Sequence, residues 1–385
     1  MPSLAPHIAS VPASGIRRVF ELAAGLDDVA MLVIGEPDVP VPHHVGDAAR
    51  RAWSEDRTGY TPNGGIAPLR EALVAKLARE NDLHVDVERV WVTVGATQAL
   101  YQAMTLTLQA GDEALIPDPG YTTFTMGVRM LDAHPIPYTL SPERGFLPSI
   151  DELESLVTDR TRVIIINSPS NPLGAIFPED VLRELLDFAR RHDLWIISDE
   201  VYEYFTYGEK HVSIASLDSD NRVFSAFSLS KTYAMTGIRV GYLVTPPGLA
   251  ALMRTVQEAT VSCVNTPAQY AAVAALTGDH EHVAAAKAHY RANLVAATAL
   301  LDARGIRYLP PTGAFYLWID VSHTSAGDVA TWAEAFLLEE RVAVAPGSAF
   351  GRSGEGWIRV CLATDPEQLL EGLGRIPAPA AGALA

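Results

Sequence analysis

Between residues 90 and 245 the chain repeats one pattern, a short apolar run rich in β-branched residues followed by a longer amphipathic stretch. "RVWVTVG" leads into the helical "TQALYQAMTLTLQ", which stops at Gly111. "DEALIP" precedes a helix expected from Tyr121 to Leu131, and "RVIIIN" precedes the helix "EDVLRELLDFARRH". "LWIISDE", "NRVFSAFS" and "GYLVT" complete the series. A strand that is apolar on both faces must be covered on both. The pattern therefore predicts an α/β fold with a mainly parallel central sheet clad in helices. In such open sheets ligands sit at the carboxyl ends of the strands. Two runs end in polar residues there: "RVIIIN" enters "SPSNPLG" and "LWIISDE" enters "VYEYF".

At 385 residues the chain exceeds one small core and suits a large domain with a smaller one. We assign residues 46–280 to the large domain, and 1–45 with 281–385 to a smaller α+β domain. The first 45 residues do not follow the strand–helix alternation. "DHEHVAAAKAHYRANLVAATALLDARG" reads as a connecting helix, since its charges are spread evenly. "YLPPTGAFYLWIDV" and "VAVAPGSAFG" read as strands beyond it, and the low-complexity "PAPAAGALA" as a mobile tail.

The formal net charge is -17, which repels nucleic acid and anionic lipid. An anionic ligand must then be caught by a local cluster of donors. Two cysteines far apart make no disulfide framework. The start lacks the basic and apolar regions of a signal peptide, and no run reaches the length of a membrane span. These features together lead us to expect a soluble cytoplasmic protein. The histidines show no HExxH spacing, no Walker loop or GxSxG elbow is present, and no metal is expected.

One lysine stands out. Lys231 in "SLSKTYAMTGIRVG" lies between Ser228 and Ser230 on one side and Arg239 on the other. "SDEVY" supplies Asp199 and Tyr202, "NSPSNPLG" supplies Asn171, and "VTVGATQAL" supplies Gly95, Ala96 and Thr97 where a strand gives way to a helix. Free N–H groups at a helix start suit a phosphate. Singly, each is more often a solvated lysine, a capping carboxylate or a turn residue. Jointly they fit pyridoxal 5′-phosphate (PLP). That cofactor needs a lysine, a carboxylate at its ring nitrogen, donors to its phenolic oxygen, an aromatic stacker and a phosphate cup.

The ordered motifs "GEPDVPVP", "YTPNGGIAPLREAL", "VGATQAL", "PDPGY", "NSPSNPLG", "ISDEVYE", "SLSKTYAMTGIRVGY", "TGAFY" and "VAPGSAFG" with "WIRVCLAT" span nearly the whole chain. In this order they resemble the fold-type I aminotransferases of the aspartate aminotransferase superfamily, class I/II. "SGIRRVFELAAGLDDV" and "PGSAFGRSGEGWIR" look most like its aromatic and broad-range bacterial and archaeal members. The resemblance implies that Lys231 forms a covalent imine with PLP and later serves as the base. Asp199 would pair with the ring nitrogen, Asn171 and Tyr202 with the phenolic oxygen, and Tyr121 would stack on the ring. Gly95, Ala96, Thr97, Ser228, Ser230 and Arg239 would hold the phosphate, with Tyr60 contributed by the second subunit of a homodimer. Arg359 would take the substrate α-carboxylate, helped by the Gly35 N–H and Asn171. It further implies a cis bond at Asn171–Pro172 and one at Asp118–Pro119.

The expected activity is transamination between an amino acid and a 2-oxo acid. Other PLP reactions on the same scaffold, a β-lyase, decarboxylase or cyclase, are the alternative. A PLP-binding regulatory domain fits the acidic balance poorly. Some bacterial aspartate-specific relatives carry lysine where this chain has Thr97, so an aromatic or bulky donor is expected. Substrate choice is placed around residues 14–18, with Arg17 or Arg18 able to meet a distal carboxylate.

Overall fold

The computed structural model describes residues 2, 4–208 and 210–380; the last five positions of the low-complexity tail lie outside the described residues. In chain order the strands are β1 (Ala30–Met31), β2 (Val90–Thr93), β3 (Glu113–Asp118), β4 (His134–Thr139), β5 (Thr161–Asn167), β6 (Trp195–Asp199) and β7 (Val223–Ser228). They continue with β8 (Gly241–Val244), β9 (Tyr308–Leu309), β10 (Tyr316–Asp320), β11 (Val342–Ala343), β12 (Ala345–Pro346) and β13 (Trp357–Cys361). Seven form the central sheet in the order β2-β8-β7-β6-β5-β3-β4. The run from β7 to β4 is parallel, and β8 lies antiparallel to both β2 and β7.

The pleat explains why these strands read as continuous apolar runs. Val163 and Ile165 of β5 join one core with Leu100, Met104 and Phe124, while Ile164 and Ile166 join another with Leu182, Leu185 and Phe188. The helix Glu179–Arg191 presents its leucines at three- and four-residue spacings and buries them. Acidic residues occupy its first turn and arginines its last, in keeping with the helix dipole.

The edge strand β4 is absent from the expectations above. Its sequence, "HPIPYT", holds Pro135 and Pro137, which cannot donate to a ladder. An edge strand pairs on one side only, so the missing donors point away from β3 without loss.

The chain ends meet in a second layer. β12, β13, β10 and β9 form an antiparallel sheet, and β1 pairs in parallel with β11, Ala30 opposite Val342. The helix Gly15–Ala23 has its N-terminus capped by the Ser14 side chain. Among the described residues, no helix is long and apolar enough to cross a membrane.

Candidate active site

The polar residues at the strand ends converge because β5, β6 and β7 are adjacent and parallel, so their carboxyl ends share one edge of the sheet. β5 ends at Asn167, β6 at Asp199 and β7 at Ser228. A cavity of about 460 Å³ opens over these ends. Asp199, Tyr202, Asn171 and Lys231 line it together with Ser228, Ser230, Arg239, Ala96 and Thr97. Tyr121, Gly35 and Arg359 line it as well. Two expected residues do not. Gly95 sits behind the guanidinium of Arg239, with φ +72°, and a side chain there would collide with it. Tyr60 is 94% exposed on the single chain, away from the cavity.

Lys231 Nζ donates to the Gly35 carbonyl at 2.6 Å, and desolvation pushes the amine down to about 8. The Asp199 carboxylate is buried and accepts from the Val201 N–H at 3.3 Å. Burial outweighs that bond and pushes it up to about 7. Arg359 is 3% exposed; its Nη1 donates to Asn171 Oδ1 at 2.8 Å and its Nη2 to the Val33 carbonyl at 2.6 Å. The guanidinium lies 4.3 Å from the centre of the Tyr316 ring. Its buried Nε has no partner among the described residues.

The helix Gly95–Thr107 can deliver its first N–H groups to the cavity because Gly241 faces it. A Cβ on Gly241 would stand 2.7 Å from the Ala96 nitrogen and 2.8 Å from the Phe227 carbonyl. The peptide bonds Asn171–Pro172 and Asp118–Pro119 are cis as expected, and Ser168–Pro169 is cis too.

The family model for aminotransferase class I and II matches residues 27–376. The chain belongs to that family. An aspartate aminotransferase of Pyrococcus abyssi is 38% identical to this aminotransferase over 379 residues, 97% of each chain. Aromatic-amino-acid aminotransferase 2 of Thermococcus litoralis is also 38% identical, over 381 residues and 97% of each. Among solved structures, the Thermus thermophilus aspartate aminotransferase with maleate superposes with a TM-score of 0.92 at 35% identity. It covers 97% of this chain and 99% of that one.

This aminotransferase is a PLP-dependent enzyme with the fold of its relatives. Its cavity suits the cofactor chemically. It offers one amine of lowered basicity, a buried carboxylate with a single backbone donor, and hydroxyls, a guanidinium and helix N–H groups at the other end.

Several residues of the aminotransferase site went unassigned in the sequence. Tyr316 lines the cavity and its hydroxyl lies 2.6 Å from that of Tyr202. "TGAFY" was part of the resemblance, yet nothing in its spacing points at Tyr202. Asn167 clips two strand ends together: its Nδ2 donates to the Asp199 carbonyl at 2.9 Å, and its Oδ1 accepts from the Asn171 N–H at 2.7 Å. Thr236 also lines the cavity, and its carbonyl accepts from Arg239 Nη1 at 2.8 Å. Of the segment 14–18 where substrate choice was expected, Ser14, Ile16 and Arg17 reach the cavity, whereas Arg18 is drawn aside by the Glu334 carboxylate.

Proposed function

We propose that this aminotransferase takes an aromatic or otherwise bulky amino acid as donor and 2-oxoglutarate as acceptor. The observation that carries the reading is the contrast between the two ends of the substrate space. Arg359 is pinned by Asn171, Val33 and the Tyr316 ring, a rigid fork for the α-carboxylate that every substrate shares. Ile16, Ile34, Leu100 and Met126 line the same cavity beside Thr122 and Thr123, and the exposed Arg17 lines it too. Apolar side chains pack there, and an exposed arginine can swing to a distal carboxylate when one arrives.

Bound PLP supplies an aldehyde carbon that takes the amino group and a ring that withdraws electrons from Cα. The Lys231 amine would anchor the cofactor and, when free, would serve as the base that takes the proton from the substrate Cα. Asp199, ionised and hydrogen-bonded to the ring nitrogen, would hold a proton there as an ion pair. Asn171 and Tyr202 donate to the phenolic oxygen, and Tyr121 covers the ring face. Ser228, Ser230, Arg239, Ala96 and Thr97 hold the phosphate, with Gly95 giving the tight turn. The Gly35 N–H supports Arg359 at the α-carboxylate.

Thr97 and Arg239 are exposed on the single chain, so the phosphate end of the cavity lacks a wall. A second copy, bringing its own Tyr60, closes that end, and the working unit is a homodimer in the cytoplasm.

Steady-state kinetics with single donors tests the substrate. Phenylalanine, tyrosine and kynurenine should match or exceed aspartate in kcat/KM. An advantage of orders of magnitude for aspartate would refute the preference and leave the aminotransferase intact. Arg17→Met should raise KM for 2-oxoglutarate and leave that for phenylalanine unchanged.

A further inference from the structure

Between residues 199 and 203 the chain turns sharply, and the side chains divide into two sets. Asp199 and Tyr202 line the cavity. Glu200 and Glu203 point the other way, into the protein. Glu200 is 0% exposed; it accepts from Ser213 Oγ at 3.0 Å and lies 2.9 Å from His211 Nε2, both of them buried. The Glu203 side chain is 8% exposed, accepts from Asn81 Nδ2 at 2.6 Å and pairs with Lys76 Nζ. Lys76, on the helix Ala67–Asn81, is 2% exposed. Its ammonium also donates to Asn81 Oδ1 at 2.9 Å and lies 4.9 Å from the ring of Phe227, the neighbour of Ser228.

We propose that Glu200 and Glu203, through His211, Ser213, Lys76 and Asn81, are positioning residues that aim Asp199 and Tyr202 at the cofactor. The inference rests on the reading of Asp199 and Tyr202 given above. The physical case begins with cost. A buried ion pair loses hydration that its mutual attraction commonly fails to return, and apolar side chains of equal volume would serve stability as well. What charged, hydrogen-bonded groups add is direction. The two cavity residues need it, because each has little of its own: Asp199 accepts from one backbone N–H and Tyr202 meets one phenol. Held away from the cavity at 200 and 203, the turn can present 199 and 202 only toward it. The Lys76 ammonium, packed on Phe227, also fixes this turn against the strand end that bears Ser228.

The test is the double variant Lys76→Met with Glu203→Gln. It removes both charges together, and the new amide can still pair with both ends of Asn81. Three quantities are read: the melting temperature of the cofactor-free protein, the dissociation constant for PLP, and the pH midpoint of the visible absorbance of the bound cofactor. We expect a near-unchanged melting temperature, a displaced pH midpoint, and PLP held about 10- to 100-fold more weakly, the worth of one charge-assisted hydrogen bond lost when Asp199 or Tyr202 is misaimed. Glu113→Gln is the control. Its buried carboxylate pairs with Arg160 at the far end of β3 and should change the melting temperature alone. If the double variant fails to fold, Glu200→Gln, isosteric and still able to bond to Ser213, carries the same expectation. Unchanged PLP affinity and pH midpoint in a folded variant overturn the proposal. A pH midpoint left unchanged by the single substitution Asp199→Asn would instead overturn the role given to Asp199.

Discussion

A half-enclosed amine costs a protein stability by an amount that depends on pH, and Lys231 shows the sign. Desolvation lowers it from 10.5 to about 8 in the cofactor-free fold. Between those values the unfolded chain binds a proton that the folded chain does not, so stability rises with pH. The slope is at most about 1.4 kcal/mol per pH unit. Lys231→Met should lose this slope in chemical denaturation between pH 8 and 10.5, which distinguishes the amine from the other titrating groups. Lys231→Ala should also lose turnover and the borohydride-reducible bond to PLP. Full retention of that bond would refute its assignment. At Arg359 the prediction concerns shape. An ammonium cannot meet Asn171 Oδ1, the Val33 carbonyl and a carboxylate in one plane. Arg359→Lys should therefore lose roughly 1.5–3 kcal/mol of transition-state binding, about ten- to a hundredfold in kcat/KM, with PLP affinity retained.

Where elements meet, the decisive contact is the one between β8 and the helix Gly95–Thr107. The nearest neighbours of a Cβ on Gly241 would be backbone atoms, which cannot step aside as a flexible side chain does. Gly241→Ala should push the helix start from the sheet, at a cost of about 1–3 kcal/mol in unfolding free energy. Weaker PLP binding should accompany it, because the N–H groups of Ala96 and Thr97 move with the helix. Unaltered stability and affinity would mean that the helix start does not depend on this close approach. At the same scale, β3 is tied to the chain's far end. Asp118 accepts from the N–H groups of Arg352 and Ser353 at 3.2 and 3.0 Å, and the Gly120 N–H donates to the Phe350 carbonyl at 2.8 Å. Tyr121 follows directly, so its position depends on a segment more than two hundred residues away.

For the molecule as a whole, the proposed homodimer with a shared site predicts that activity and assembly are coupled. Tyr60→Phe should weaken PLP binding about tenfold or somewhat more, the worth of one charge-assisted hydrogen bond. Dilution below the dimer's dissociation constant should abolish turnover. A fully active monomer in sedimentation at assay concentration would refute the shared site.

By itself the sequence determined the alternation of strands and helices, the layered α/β class, and the places of Asp199 and Ser228 at strand ends and of Asn171 and Lys231 just beyond them. Hydrophobic period and turn chemistry are properties of adjacent residues, and ordered motifs survive in a single chain. Only the tertiary structure decided which distant residues complete the site. Tyr316 meets Tyr202, Arg17 enters from the first helix, and Lys76 and Asn81 reach Glu203 because strand order and helix docking bring them there. Asn167 was visible as the last residue of a strand, yet its task of holding Asp199 and Asn171 exists only once β5 lies beside β6. The edge strand β4 escaped for a related reason: its prolines are tolerable solely because one of its sides has no partner, and being at an edge is a fact of the assembled sheet.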